Sequence, residues 1–177
     1  MVEHGKPVVR KLIEDSGESV AVLVRVEQDI MNVSKEDPLQ LVNRTIQMGE
    51  HSPMLAAASG KAILAYLPDH EIEQYSSSVK PTAITPKKIA DLKVVESKLD
   101  GICSYGTACD RHDISDRMIA MAALMFDLYA LVVASSVVSF PAIRLTPEKK
   151  SLITYVSQEA FVFSSRKLGF KVSLGVN

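Results

Sequence analysis

With 177 residues, 47% of them hydrophobic, the chain can bury one core, and no shift of composition along it argues for a second domain. Its 20 basic residues nearly balance 21 acidic ones and are scattered rather than gathered into a stripe, so the chain carries no nucleic-acid footprint of its own. Two cysteines cannot build a disulfide framework, residues 1–5 lack the order of a signal peptide and no apolar run reaches membrane-spanning length; a single cytoplasmic domain over residues 1–177, with no membrane partner, is expected.

Residues 7–15 read as a short helix with Val9, Leu12 and Ile13 inward, stopped at Ser16-Gly17. Residues 19–26 and 28–34, rich in Val, Leu and Ile around a polar tip, predict two strands, and the alternation over 39–48 predicts a third, half exposed. From Gly49 to Leu67 a strand-like segment meets Pro53 and gives way to small residues that open an apolar helix near Ala57. The spacing of Ala58, Ala62, Ala65 and Tyr66 marks its inner side. Pro68-Asp69 starts another short helix over 71–75, and Ser76-Ser77-Ser78 reads as a loop.

Thr85 can cap a helix with Pro86 at its first position and Ile89, Leu92, Val95 and Leu99 on one side, until Gly101 stops it. Strands are predicted at 102–107, 118–126 and 131–139. Thr146-Pro147 then opens a closing helix with Leu152, Val156, Ala160 and Phe163 inward and Gly169 as the stop. Strands and helices mixed in this order favour an α+β fold, an antiparallel sheet covered by helices.

The small-residue run admits two readings. Unpaired amides of the first helical turn, flanked by Ala57, Ala58, Ser59 and Gly60, could receive a small carboxylate, or the small side chains could simply let the helix pack closely on a sheet. Ser59-Gly60-Lys61 is not a phosphate loop: Leu55 stands where the required glycine would be and Ala62 where a Ser or Thr would follow the lysine. Ser59 and Lys61, two apart at a helix start, do not form a nucleophile and its base. Cys103, Cys109, Asp110, His112 and Asp113 include ligand types that zinc accepts, yet paired CxxC or HxxxH units are absent, and scattered polar residues of a strand and loop are expected there. His51 and His70 read as solvated, and Asp116-Arg117 as a surface pair.

Pro53-Met54, the run Ala56-Ala57-Ala58-Ser59-Gly60-Lys61-Ala62-Ile63-Leu64-Ala65 and Leu67-Pro68 together resemble the signature of the effector-binding domain of the isocitrate lyase regulator (IclR) family. The resemblance continues through Ser16-Gly17-Glu18-Ser19-Val20, Thr85-Pro86, Asp100-Gly101-Ile102, Ala122-Ala123-Leu124-Met125-Phe126-Asp127 and Thr146-Pro147-Glu148, weakening after residue 100. It implies a GAF-like α+β fold with a six-stranded antiparallel sheet and helices on its faces. It further implies a sensor rather than an enzyme, binding a small organic acid or aromatic metabolite and signalling through homodimer or homotetramer contacts, with no cofactor and no metal. The family's winged helix-turn-helix needs on the order of 50 residues, more than precede the strand expected from Ser19, so DNA control is expected only through a further segment or partner.

Carried over position by position, the resemblance implies an effector pocket of Leu41, Arg44, Ser52, Ala58, Ser59, Asp110, Ala120, Val137 and Ser139. Arg44 is either a bidentate partner for a carboxylate or a solvated strand residue. The chain departs from the pattern at Val137 and Phe140, where Ser and Gly are usual, at Leu124 in place of Pro, and in a rewritten loop over 110–117. Val137 and Phe140 are expected to make the pocket more apolar or smaller. Two other functions therefore stand beside the sensor: a ligand-free oligomerisation or protein-interaction module of the same fold, and a small metal-dependent enzyme resting on the Cys, His and Asp cluster.

Overall fold

The computed structural model describes residues 2–38, 47–78, 107–111 and 117–171. Helix α1 (Val2–Ser16) runs five residues further toward the N-terminus than its predicted start at Pro7. Proline is a start signal because its missing N–H costs nothing in a first turn, but a second-turn position forfeits only one helical bond. Gly17 closes the helix with φ +67°, its N–H donating to Ile13 O at 2.8 Å. Strand β1 (Ser19–Val26) follows, then a two-residue turn with Glu27 at φ +54°, then β2 (Asp29–Glu36).

Of the strand predicted over 39–48, residues 39–46 lie outside the described residues, and Gln47 and Met48 belong to a turn instead. Asn32 holds that turn: its side-chain amide donates to Gln47 O (3.1 Å) and its carbonyl accepts from Gly49 N (2.8 Å). The short strand β3 (His51–Pro53) leads through a 3-10 turn, Met54–Ala56, into α2 (Ala58–Leu64). Next comes α3 (Asp69–Ser78), which includes the serines read as a loop. Ser77 and Ser78 both donate their hydroxyls back to Gln74 O, at 2.9 and 2.8 Å, so these two hydroxyls are satisfied by the helix itself.

The helix predicted from Pro86 and the strand residues 102–106 lie outside the described residues. Strand β4 (Thr107–Arg111) starts at the last residue of the strand predicted over 102–107 and continues through positions expected to form a loop, and β5 (Met118–Phe126) and β6 (Val132–Pro141) form a long hairpin. A second 3-10 turn, Ala142–Arg144, precedes the closing helix α4 (Pro147–Lys167). Thr146 caps it, accepting from Lys149 N at 3.1 Å, and Gly169 lies beyond its end with φ +89°.

The strands pair antiparallel in the order β3-β2-β1-β6-β5-β4, with β3 a three-residue edge beside five longer strands. Strand alternation sends the two sets of side chains to different layers. Val20, Val22, Ile119, Met121, Val138 and Phe140 pack with Val9 and Leu12 of α1 and Ile153, Val156 and Ala160 of α4. Ala21, Leu23, Ile30, Ala120, Ala122, Leu124, Phe126 and Val137 pack with Met54, α2 and Tyr75 of α3. No described helix is long and apolar enough to cross a membrane.

Two helix faces differ from expectation. Every residue of α2 is buried, so it has no outer side, while Tyr66 lies beyond its end and is 36% exposed. On α4 the inner stripe is Ile153, Val156, Ser157, Ala160, Ser164 and Ser165, whereas Leu152 and Phe163 face outward. Three inward serines break the apolar stripe and shift its apparent phase by one position.

Candidate functional site

The start of α2 is built by a close approach. A Cβ added to Gly60 would stand 2.1 Å from Met54 O and 2.4 Å from Met54 Cα, so only glycine lets the 3-10 turn lie against the first turn of the helix. Ala57, extended at φ −138°, is the N-cap and offers no side-chain bond. The first helical bond runs from Lys61 N to Ala57 O (3.0 Å), and the amides of Ala58 and Ser59 therefore find no partner within the helix. Tyr75 of α3 braces this turn, its phenol oxygen accepting from Leu55 N at 3.2 Å. Burial pushes the Tyr75 phenol above its usual value, partly opposed by that amide bond.

Beneath α2 the sheet presents short side chains in register. One row runs Ala120–Ser139–Ser19 across β5, β6 and β1 and the next runs Ala122–Val137–Ala21, with the β4 backbone positions Asp110 and Ala108 paired to Ala120 and Ala122. Leu124 and Leu23 flank Ser135 in the third. Ser19, Ser135 and Ser139 are each at most 4% exposed, and their hydroxyls have no hydrogen-bond partner among the described residues. A buried hydroxyl left unpaired costs about 1–3 kcal/mol, which makes this face unusual for a pure packing surface.

Of the residues expected to line a pocket, Ala58, Ala120 and Val137 fall in one apolar cluster. Ser59 is buried on α2, Ser139 shares the sheet face, and Asp110 holds the β4 register position opposite Ala120. Ser52 lies on β3 opposite Ile30, at the other edge of the sheet. Five strand spacings separate β3 from β4, roughly 24 Å along the sheet. Leu41 and Arg44 lie outside the described residues. Phe140, expected to narrow the pocket, does not: it is fully buried on the opposite face, among α1 and α4, because it is an odd number of residues from Val137 on the same strand.

Of the Cys, His and Asp cluster, only Cys109 and Asp110 fall among the described residues. Cys109 and Asp110 are consecutive on β4, paired with Met121 and Ala120, and so hold register positions on opposite faces. Cys103, His112 and Asp113 lie outside the described residues, and no group of three or more His, Cys, Asp or Glu occurs among the described ones.

Three features escape the sequence reading. Ser19 and Ser135 share the parity of Ser139 on their strands, a period-2 signal visible only once the strand faces are assigned. The third is Glu18, whose carboxylate is fully buried. Arg144 Nη2 lies 2.8 Å from its Oε2 and Lys149 Nζ 2.7 Å from its Oε1, and Lys149 also donates to Ser16 O at 3.0 Å. This network ties the α1–β1 step to the turn after β6 and to the start of α4; both carboxylate oxygens are engaged, which makes it a joint rather than a ligand site.

Residues 1–164 match the model of the family described as "Bacterial transcriptional regulator IclR C-terminal". The chain is 30% identical over 158 residues to the HTH-type transcriptional repressor AllR of Klebsiella pneumoniae, covering 89% of this chain and 56% of that protein. It is 27% identical to the HTH-type transcriptional regulator KipR of Bacillus subtilis, covering 93% of this chain and 66% of KipR. The chain thus spans between about half and two thirds of these relatives. Thermotoga maritima IclR superposes with a TM-score of 0.90 at 25% identity, over 95% of this chain and 68% of that one. The C-terminal domain of Escherichia coli KdgR, at 21% identity, shares the fold with a TM-score of 0.86 over 96% of this chain and 98% of its own. The chain belongs to the IclR family of bacterial transcriptional regulators and corresponds to their C-terminal region.

Proposed function

We propose that this chain is the effector-sensing part of an IclR-type regulator, a single GAF-like domain that takes a small organic acid or aromatic metabolite between the start of α2 and the β4–β5–β6 face. The observation that carries the reading is the buried, unpartnered Ser139 hydroxyl, set in a row of short side chains under a helix start whose cap offers no side chain. A ligand's carboxylate or hydroxyl would supply the missing bond, with Ala58, Ser59 and Ala120 leaving room and Asp110 at the same register row. Occupancy is passed on only if the ligand binds two packings of the homodimer or homotetramer with different affinity. DNA contact belongs to a winged-helix segment outside residues 1–177, and the assembled regulator works in the cytoplasm. No reaction is assigned to the chain; its relatives AllR and KipR are described as transcriptional regulators.

A ligand-free oligomerisation module is the second reading, favoured by Val137 on the site face and by Leu152, Tyr155 and Phe163 exposed along α4. Thermal-shift screening against acetate, pyruvate, lactate and benzoate separates the two. A bound effector raises the melting temperature with the logarithm of its saturation, and a flat response across the panel sinks the sensor reading.

A further inference from the structure

Ser19 stands directly opposite Ser139 in the β1–β6 ladder, on the face that carries Ala21 and Ala120 toward α2. Directly opposed residues of an antiparallel pair hold their Cβ atoms about 5 Å apart, close enough for two hydroxyls to reach one oxygen-bearing group. The two serines are 4% and 3% exposed, and neither hydroxyl has a partner among the described residues. They do not bond each other, although register and burial would allow it. Two neighbouring buried hydroxyls left unpaired on one face mark a place where a third polar group completes the pair.

We infer that Ser19 of β1 is a further ligand contact of this site, its hydroxyl joining that of Ser139 on a carboxylate, carbonyl or hydroxyl oxygen of the bound small molecule. The inference rests on the sensor reading above and adds β1 to a site otherwise drawn from α2, β4, β5 and β6. Ser157 supplies the contrast. It too is buried with an unpartnered hydroxyl, but it lies on the inner stripe of α4, across the sheet from α2.

The test compares wild type, Ser19→Ala, Ser139→Ala, the double variant and Ser157→Ala by thermal unfolding without ligand, and by calorimetric titration with whichever of acetate, pyruvate, lactate and benzoate stabilises the wild type most. Ser19→Ala is expected to keep or raise the ligand-free melting temperature, since it deletes an unpaired hydroxyl, while raising Kd about threefold to tenfold. Ser157→Ala should match it without ligand and leave Kd unchanged. The double variant should lose less than the product of the single losses, because both hydroxyls serve one group. A Ser19→Ala variant that melts several degrees lower and binds within about twofold of wild type overturns the inference and gives the hydroxyl a structural role. If no acid shifts the wild type, the sensor reading itself falls and the inference with it. That outcome is read in the wild-type arm alone and is distinct from a failure of Ser19.

Discussion

Replacing Gly60 by alanine tests how the site is assembled. The new Cβ would meet Met54 O at 2.1 Å, so the 3-10 turn and α2 must part by more than an ångström before the contact becomes an ordinary one. Neither side can yield cheaply. Met54 is fully buried, every residue of α2 is buried, and the obstructing atoms are backbone rather than the end of a flexible side chain. Overpacking of this kind costs up to about 3 kcal/mol, and the helical preference of alanine over glycine returns about 1 kcal/mol. A net loss of about 2 kcal/mol corresponds to a melting temperature lower by about 4–8 °C in a domain of this size. Urea denaturation read by circular dichroism measures it directly, and the same variant should weaken any ligand found in the screen because the displaced turn moves Ala58 and Ser59. A Gly60→Ala protein as stable as wild type would refute the close approach.

Two further perturbations address the frame around the site. Glu18→Gln leaves Arg144 and Lys149 without their buried carboxylate; because both side chains remain about a quarter exposed, the loss should fall at the low end of that for a broken buried pair, about 3 kcal/mol. A loss below about 1 kcal/mol in urea titration would mean that water replaces the carboxylate without cost. Tyr75 titrates above its usual value because burial disfavours the phenolate, so its contribution is whole below about pH 10 and is lost as pH rises through the folded-state value. Melting temperatures from pH 8 to 11 should therefore fall more steeply for wild type than for Tyr75→Phe, and parallel curves would contradict the assignment.

What the sequence makes legible is what local chemistry decides. β1 and β5 stand at their predicted bounds because dense apolar runs are flanked by turn residues, and the Gly17 and Thr146 signals act where they are read. Serine misleads twice: in α3 and at Ser164 of α4 the hydroxyl bonds a carbonyl of its own helix, so it occupies positions where composition predicts a loop or an outer face, while Ser157 is buried with its hydroxyl unpartnered among the described residues. The same residue type hides part of the candidate site. Ser139 follows from the resemblance, whereas Ser19 and Ser135 emerge only from the strand pairing that sets all three on one face. Phe140 fails for the complementary reason, being adjacent in sequence to Ser139 and so pointing the other way.

The most direct test of the central claim is a crystal structure of the protein with the acid that stabilises it most. Density for that acid between the first turn of α2 and the Ala120–Ser139–Ser19 row, within hydrogen-bond distance of a serine hydroxyl, is the expected result. The same acid bound elsewhere, with that row closed against α2 by apolar contacts alone, would contradict the account.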